Sequence, residues 1–185
     1  MHEVDVCSPF LQSFTFHLSH VSPSTRLIRS REQYTAAFDS KSHDELLNNL
    51  MTSDHLLVRT TGQKDEGAEA SIAALSKEIY APFAQYTHIP THLVTYEVSD
   101  GWEMVGYATL YWNLAVPGKT EGGETKVRDG QGREWDGCNP AAFNFKYRRV
   151  DGGIRLCKTE IAADPTSAVV GMLKRGMMKA EDLMK

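Results

Sequence analysis

Apolar and polar residues alternate most clearly between Arg133 and Pro165. Phe143, Phe145 and Tyr147 fall on one face and Asn144, Lys146 and Arg148 on the other, the period of a half-buried strand. Asp151-Gly152-Gly153 supplies the glycines that a hairpin needs for positive φ, so the next run returns antiparallel. On that return, Ile154, Leu156, Lys158, Glu160 and Ala162 share a face by alternation, and the apolar face turns ionic half way along. Charged side chains are rarely buried without a partner. Either the strand leaves the core at Lys158, or the protein keeps a polar pocket there.

Upstream, the period changes. Pro23 and Ser24 precede a helical pattern with Leu27, Tyr34 and Phe38 at heptad and i+4 spacing, broken at Asp39-Ser40-Lys41. Ser42-His43-Asp44-Glu45 has the spacing of a capping box and opens a short helix carrying Leu46, Leu47 and Leu50. Leu56-Leu57-Val58 reads as a strand. Ile72, Leu75, Ile79 and Phe83 form the stripe of a third helix, which stops near Pro82. His88 to Val98, Met104 to Val116, Arg133 to Tyr147 and Ile154 to Ala162 read as strands, with a tight turn at Ser99-Asp100-Gly101. Residues 117–132 are glycine-rich, charged and aperiodic, the signature of an exposed loop. Asp164-Pro165 enters a last short helix as N-cap and N1.

Helices first and long antiparallel strands afterwards give an α+β class. The expected architecture is a strongly curved antiparallel sheet forming a cone, covered by three N-terminal helices and a short C-terminal helix. The domain plan is an arm over residues 1–24, one cone domain over 25–178 and a tail over 179–185. The arm is apolar at Phe14, Phe16 and Leu18, as an edge strand or a lid over the mouth would be.

Composition narrows the function. The 185 residues suffice for one domain that buries roughly 70% of its unfolded surface. A net charge of -4 carries no polyanion-binding signature, so nucleic acid is not an expected partner. Three cysteines without C-x-x-C spacing, no membrane-length apolar run and acidic Glu3 and Asp5 at the N-terminus point to a soluble cytoplasmic protein. The pairs His17-x-x-His20 and His88-x-x-x-His92 lack a third ligand, and no nucleotide or nucleophile-elbow motif is present. No metal and no cofactor are expected.

Candidate chemistry lies on the strands. Val105, Tyr107, Thr109, Tyr111 and Asn113 share a face. That face reads as a pocket wall for an oxygenated apolar ligand, or as the outer side of the sheet packed on a second copy in a homodimer. Lys158 and Glu160 are open to the same two readings, as pocket groups or as a surface ion pair.

The helix order, the acidic turn AAFDSKSHDEL, the strand ending FKYRRVDGG and the Asp-Pro entry to the last helix resemble the nuclear transport factor 2-like superfamily over about residues 25 to 175. Within it, FDSKSHDEL, YTHIPTHL and VGYATL are similar to scytalone dehydratase. That resemblance implies an acid/base His88 oriented by Asp39. In the same comparison Phe38 and Arg59 stand where tyrosines are expected. A second histidine falls near Asn113 or Leu114, and polar residues fall at Ala141 and Phe143. Tyr34 matches the oxyanion tyrosine of ketosteroid isomerase, and Glu160 is close to a late-strand carboxylate of SnoaL-like cyclases.

The reading is a cofactor-independent lyase, isomerase or cyclase acting on a small polyketide-like or other secondary metabolite. His88, Asp39 and Glu160 are its catalytic candidates. Tyr34, Arg59, Tyr107, Tyr111, Asn113, Phe143 and Lys158 are its substrate-binding candidates. The rival is a non-catalytic ligand-binding or dimerisation module of the same fold, with Phe143, Phe145 and Tyr147 filling the cavity.

Overall fold

The structure, a computed structural model, describes residues 23–118 and 125–184, with side chains from residue 28 onward. Most of the N-terminal arm, with its edge-strand and lid readings, lies outside the described residues. Three helical segments fall in the first half of the described chain, the third after two strands: α1 (Pro23–Asp39), α2 (His43–Glu45, continued by a π turn over Leu46–Leu50) and α3 (Ala68–Ala74, continued by a π turn over Leu75–Ile79). The strands are β1 (Met51–Val58), β2 (Lys64–Glu66), β3 (Phe83–Val98), β4 (Gly101–Leu114), β5 (Val127–Arg128), β6 (Glu134–Trp135), β7 (Gly137–Val150) and β8 (Gly153–Ala163); α4 (Thr166–Lys174) follows.

Six strands form one curved, unclosed sheet in the order β2-β1-β8-β7-β4-β3. Successive strands β3–β4 and β7–β8 are hairpins, and β4 pairs antiparallel with β7. The sheet is mixed, because β1 runs parallel to β8, a pairing that needs the long crossover through the rest of the domain. Pro90, which cannot donate to a ladder, sits beside a register shift on the edge strand β3, where the missing bond costs least. The end of the loop over 117–132 enters a short hairpin, β5 pairing with β6 just beyond it, that the aperiodic sequence conceals.

The helices lie on the concave face. Leu46, Met51, Leu57, Leu75, Met104 and Leu156 are fully buried between the layers. Complete burial of such side chains contributes about 1.5–3 kcal/mol each, so the core is anchored from both layers. Gly106 permits close packing at the middle of β4: a Cβ there would lie 2.3 Å from the His92 carbonyl oxygen and 2.9 Å from Cζ of Phe143.

Two helix ends differ from their sequence readings. Ser42 makes no capping hydrogen bond; its hydroxyl meets that of Ser40 at 2.9 Å, and Glu45 instead accepts from Asn49. The reason is the end of α1, which closes in a Schellman motif: Ser42 N–H donates to Ala37 O and Lys41 N–H to Phe38 O, with Lys41 at φ 58°. That closure fixes the backbone around Ser42. At α4, Asp164 caps one residue earlier than its N-cap reading, its Oδ1 accepting from the backbone and hydroxyl of Thr166.

The decisive local feature is a bulge in β8. Lys146 pairs with Lys158 and Tyr147 with Leu156, leaving Cys157 as an extra residue. Leu156 and Cys157 are both buried, after which the alternation is inverted. Thr159, Ile161 and Ala163 therefore face the helices, while Lys158, Glu160 and Ala162 face outward.

Candidate active site

Between the helices and the sheet lies a cavity open at one end. Small residues on the concave face, Ala108, Ala141 and Ala163, leave the room. Phe143 and Phe145, with ring centroids 4.6 Å apart, floor it without filling it. The space continues past Tyr80, Leu110 and Asn139 to a mouth bordered by Arg59, Thr60, Asp164 and Pro165. Among the described residues, the loop over 117–132 contributes nothing to the lining of that mouth. Asn139 braces the wall: its carbonyl accepts from the Trp112 indole and its amide donates to Asp164 O, tying β7 to the entry of α4.

His88 enters the cavity wall from β3, and Asp39 reaches it from the last turn of α1. Nδ1 of His88 lies 2.6 Å from Oδ1 of Asp39. The other oxygen, Oδ2, accepts from the His88 backbone N–H at 3.0 Å and from the Thr87 hydroxyl at 3.2 Å. A carboxylate at a helix C-terminus faces the negative end of the helix dipole, so its position is not one that helix formation favours. These three donors offset that field and hold the group. With Nδ1–H donating to Asp39, the His88 Nε2 carries the lone pair, and the Tyr80 hydroxyl donates to it at 2.9 Å. Burial, aided by Tyr34, Tyr86 and Asp39 nearby, raises the Tyr80 phenol far above its ordinary range, so it stays protonated. Phe38, Tyr80 and Tyr86 surround the imidazole, with centroids 6.1, 5.5 and 6.0 Å from it.

Tyr34 also lines the cavity, T-stacked on Phe145 at 5.5 Å. Burial pushes its phenol up to about 12, against the opposing pull of a hydrogen bond with Thr159. Thr159 continues inward to His55, whose Nε2 lies 3.1 Å from its hydroxyl, and the His55 Nδ1 meets Ser71 at 2.9 Å.

The other candidates lie elsewhere. Arg59 is at the mouth, held by Asp65 at 2.7 and 2.9 Å and by Glu78 at 2.5 Å. Lys158 and Glu160 pair at 2.6 Å on the outer face, where the bulge has turned them. Tyr107, 61% exposed, Tyr111 and Asn113 also lie on that outer face. Asn113 there accepts from the Asp136 N–H at 2.9 Å. The pocket wall of β4 is the opposite face, with Ala108 and Leu110. Of the ten candidates, His88, Tyr34 and Phe143 line the inner cavity, with Asp39 directly behind His88.

Several cavity residues escaped sequence reasoning: Tyr80, Arg31, Thr159 and Asn139. Arg31 alone carried a local signal, a charge set between Leu27 and Tyr34 in the apolar stripe of α1.

No protein-family model matches the sequence, and no curated protein sequence matches it. Solved structures do match. The hexachlorocyclohexane dehydrochlorinase LinA-type3 of Novosphingobium barchaimii LL02 superposes with a TM-score of 0.58 at 15% identity, over 76% of this chain and 86% of that one. A provisionally named scytalone dehydratase of Novosphingobium aromaticivorans DSM 12444 gives 0.54 at 15% identity, over 76% and 83%. The Kfla4162 protein of Kribbella flavida gives 0.56 at 18%, over 77% and 90%. At such identities the likeness is one of fold, and it agrees with the element order, the curved sheet and the helices on its concave face. By its fold, the chain is similar to these proteins.

Proposed function

We propose that the chain is a cofactor-independent acid–base enzyme, a lyase, isomerase or cyclase, acting on a small oxygenated and largely apolar metabolite of polyketide-like character. The observation that carries this reading is the imidazole of His88, oriented by Asp39 and presenting Nε2 at an apolar cavity. An imidazole fixed in this tautomer can take a proton from a carbon next to a carbonyl or beside a leaving group. The electron pair left behind moves into an enolate, or expels the leaving group, or attacks a second carbonyl. His88 then returns its proton to the oxygen or carbon that ends with the charge. The Tyr80 hydroxyl donates to Nε2 in the resting site and is free to donate to a substrate oxygen once the substrate takes its place. Phe143 and Tyr34 would hold the apolar body. The names of the fold neighbours, a dehydrochlorinase and a scytalone dehydratase, support elimination as one such outcome.

The shared first step gives the test. Candidate ketones and hydroxyketones incubated in deuterium oxide should exchange the hydrogen next to the carbonyl when protein is added, read by proton NMR. The His88→Ala protein should not accelerate exchange. Equal acceleration by both proteins would remove His88 from the chemistry, and no acceleration across the panel would favour a binding module.

The outer sheet face supports a second copy as partner. Val94 and Val105 are direct cross-strand neighbours, 51% and 40% exposed, with Tyr96 and Tyr107 beside them. We propose a homodimer packed sheet to sheet, for which sedimentation at micromolar concentration should give twice the chain mass. Tyr107→Glu should halve it. A wild-type mass of one chain would refute the arrangement.

A further inference from the structure

Taking the cavity as the substrate site proposed above, we infer that Arg31 is an anion-binding subsite within it, so that the substrate carries a carboxylate or a comparably acidic oxygen. Arg31 lies on α1 one turn before Tyr34, lines the inner cavity and is only 8% exposed. Its Nε is fully buried and has no hydrogen-bond partner. Oε1 of Glu32 is 3.6 Å from Nη2, an ion pair too long for a hydrogen bond, and belongs to a side chain that is 60% exposed. The carboxylate among the inner polar groups, Asp39, is already occupied by His88 and Thr87.

A guanidinium cannot escape burial by losing its proton, so one whose Nε is unpartnered and whose carboxylate partner is a largely exposed Glu32 at 3.6 Å has room for a closer counter-charge in the cavity. Its planar fork matches a carboxylate better than any neutral oxygen. A second donor stands close by: the Tyr147 hydroxyl is buried without a partner and lies near enough to feel the charge of Arg31. Tyr34, by contrast, is tied to Thr159. Arg31 and His88 both border the inner cavity and neither borders the mouth. A substrate would therefore enter past Arg59 and Asp164 with its anionic end leading, lay its apolar body on Phe143 and Phe145, and bring an intervening carbon to Nε2 of His88.

Benzoate and benzamide differ little in shape and by one charge, which makes them suitable probes for titration calorimetry. Wild-type protein should bind benzoate at least about tenfold more tightly than benzamide, the usual worth of a charge-assisted hydrogen bond. Arg31→Met should bind the two equally, and it should melt at a higher temperature than wild type, because it replaces a buried charge that only a distant, exposed carboxylate offsets with an apolar side chain of similar length. His88→Ala should keep the wild-type preference, which separates this subsite from the chemistry assigned to His88. Equal affinities in the wild type, or a preference that survives in Arg31→Met, would overturn the subsite while leaving the base untouched. Binding of neither probe to the wild type would overturn both it and the cavity reading.

Discussion

Replacing His88 with alanine is expected to slow turnover by about 10²–10⁴-fold while leaving substrate affinity nearly unchanged, the scale of a lost general base. Asp39→Asn should lose nearly as much, for a reason visible in the hydrogen bonds. Oδ2 faces the His88 backbone N–H, a donor that cannot turn, so the asparagine must place its carbonyl there. Its amide then faces Nδ1, where Asp39 now accepts. Nδ1 can meet that amide only as an acceptor, which moves the ring proton to Nε2 and removes the lone pair from the cavity side. The geometry would survive and the base would not. Because the two groups act as one unit, the double variant should be no slower than His88→Ala alone. Steady-state kinetics on any substrate found by the exchange screen would check this. Losses that multiply would show two independent contributions, and full activity in a folded His88→Ala protein would end the mechanism.

The second expected result concerns folding. His55 is fully buried, and burial lowers its imidazole from 6.5 to about 4, with Asp54 pulling weakly the other way. The folded protein thus keeps His55 neutral, while the unfolded chain takes up a proton below about pH 6.5. Stability from this group is complete above that value. It falls by about 1.4 kcal/mol per pH unit as the solution is acidified toward pH 4, and levels off below. The total is about 3 kcal/mol. The neutral ring fits a directional chain: Thr159 donates to Nε2, Nδ1–H to Ser71, and Ser71 to the Asp65 carbonyl at 3.3 Å. Urea midpoints of wild type and His55→Gln, compared from pH 7 to pH 4, isolate the effect, since the carboxylates common to both cancel. The gap between the two should close with acid. Parallel curves would mean that His55 does not titrate across folding.

What could be read from the sequence depended on how far each signal travels along the chain. The stripe of α1, the hairpin at Gly152 and the alternation of Phe143, Phe145 and Tyr147 are local, and the structure keeps them all. The pairing of His88 with Asp39 spans 49 residues and leaves no trace in periodicity; family resemblance, not spacing, pointed to it. Tyr80 precedes β3 in a turn, where no alternation says which way a side chain points. On β4 the alternation was legible, but it left open which side faced the cavity. Tyrosines with Thr109 and Asn113 look like a polar pocket, but the cavity side of β4 carries Ala108 and Leu110, and the small size of Ala108, with Ala141 and Ala163 on the neighbouring strands, leaves the space. Arg31 shows the reverse. The rule that made Lys158 and Glu160 conspicuous, a charge interrupting an apolar face, applied equally to α1, and there the charge is truly buried.

Cys157 gives the sheet a parity. Counting from the Gly152 turn, even-numbered residues of β8 face the helices up to Leu156, and odd-numbered ones do so from Thr159 onward. A comparison that aligns this strand with an unbulged relative without a gap would exchange inside for outside over its whole second half. It would set Glu160 beside residues that touch a ligand, and Thr159 and Ile161 beside residues that touch solvent. A motif drawn from unbulged relatives would then fall on the wrong side chains here, even where the two backbones superpose.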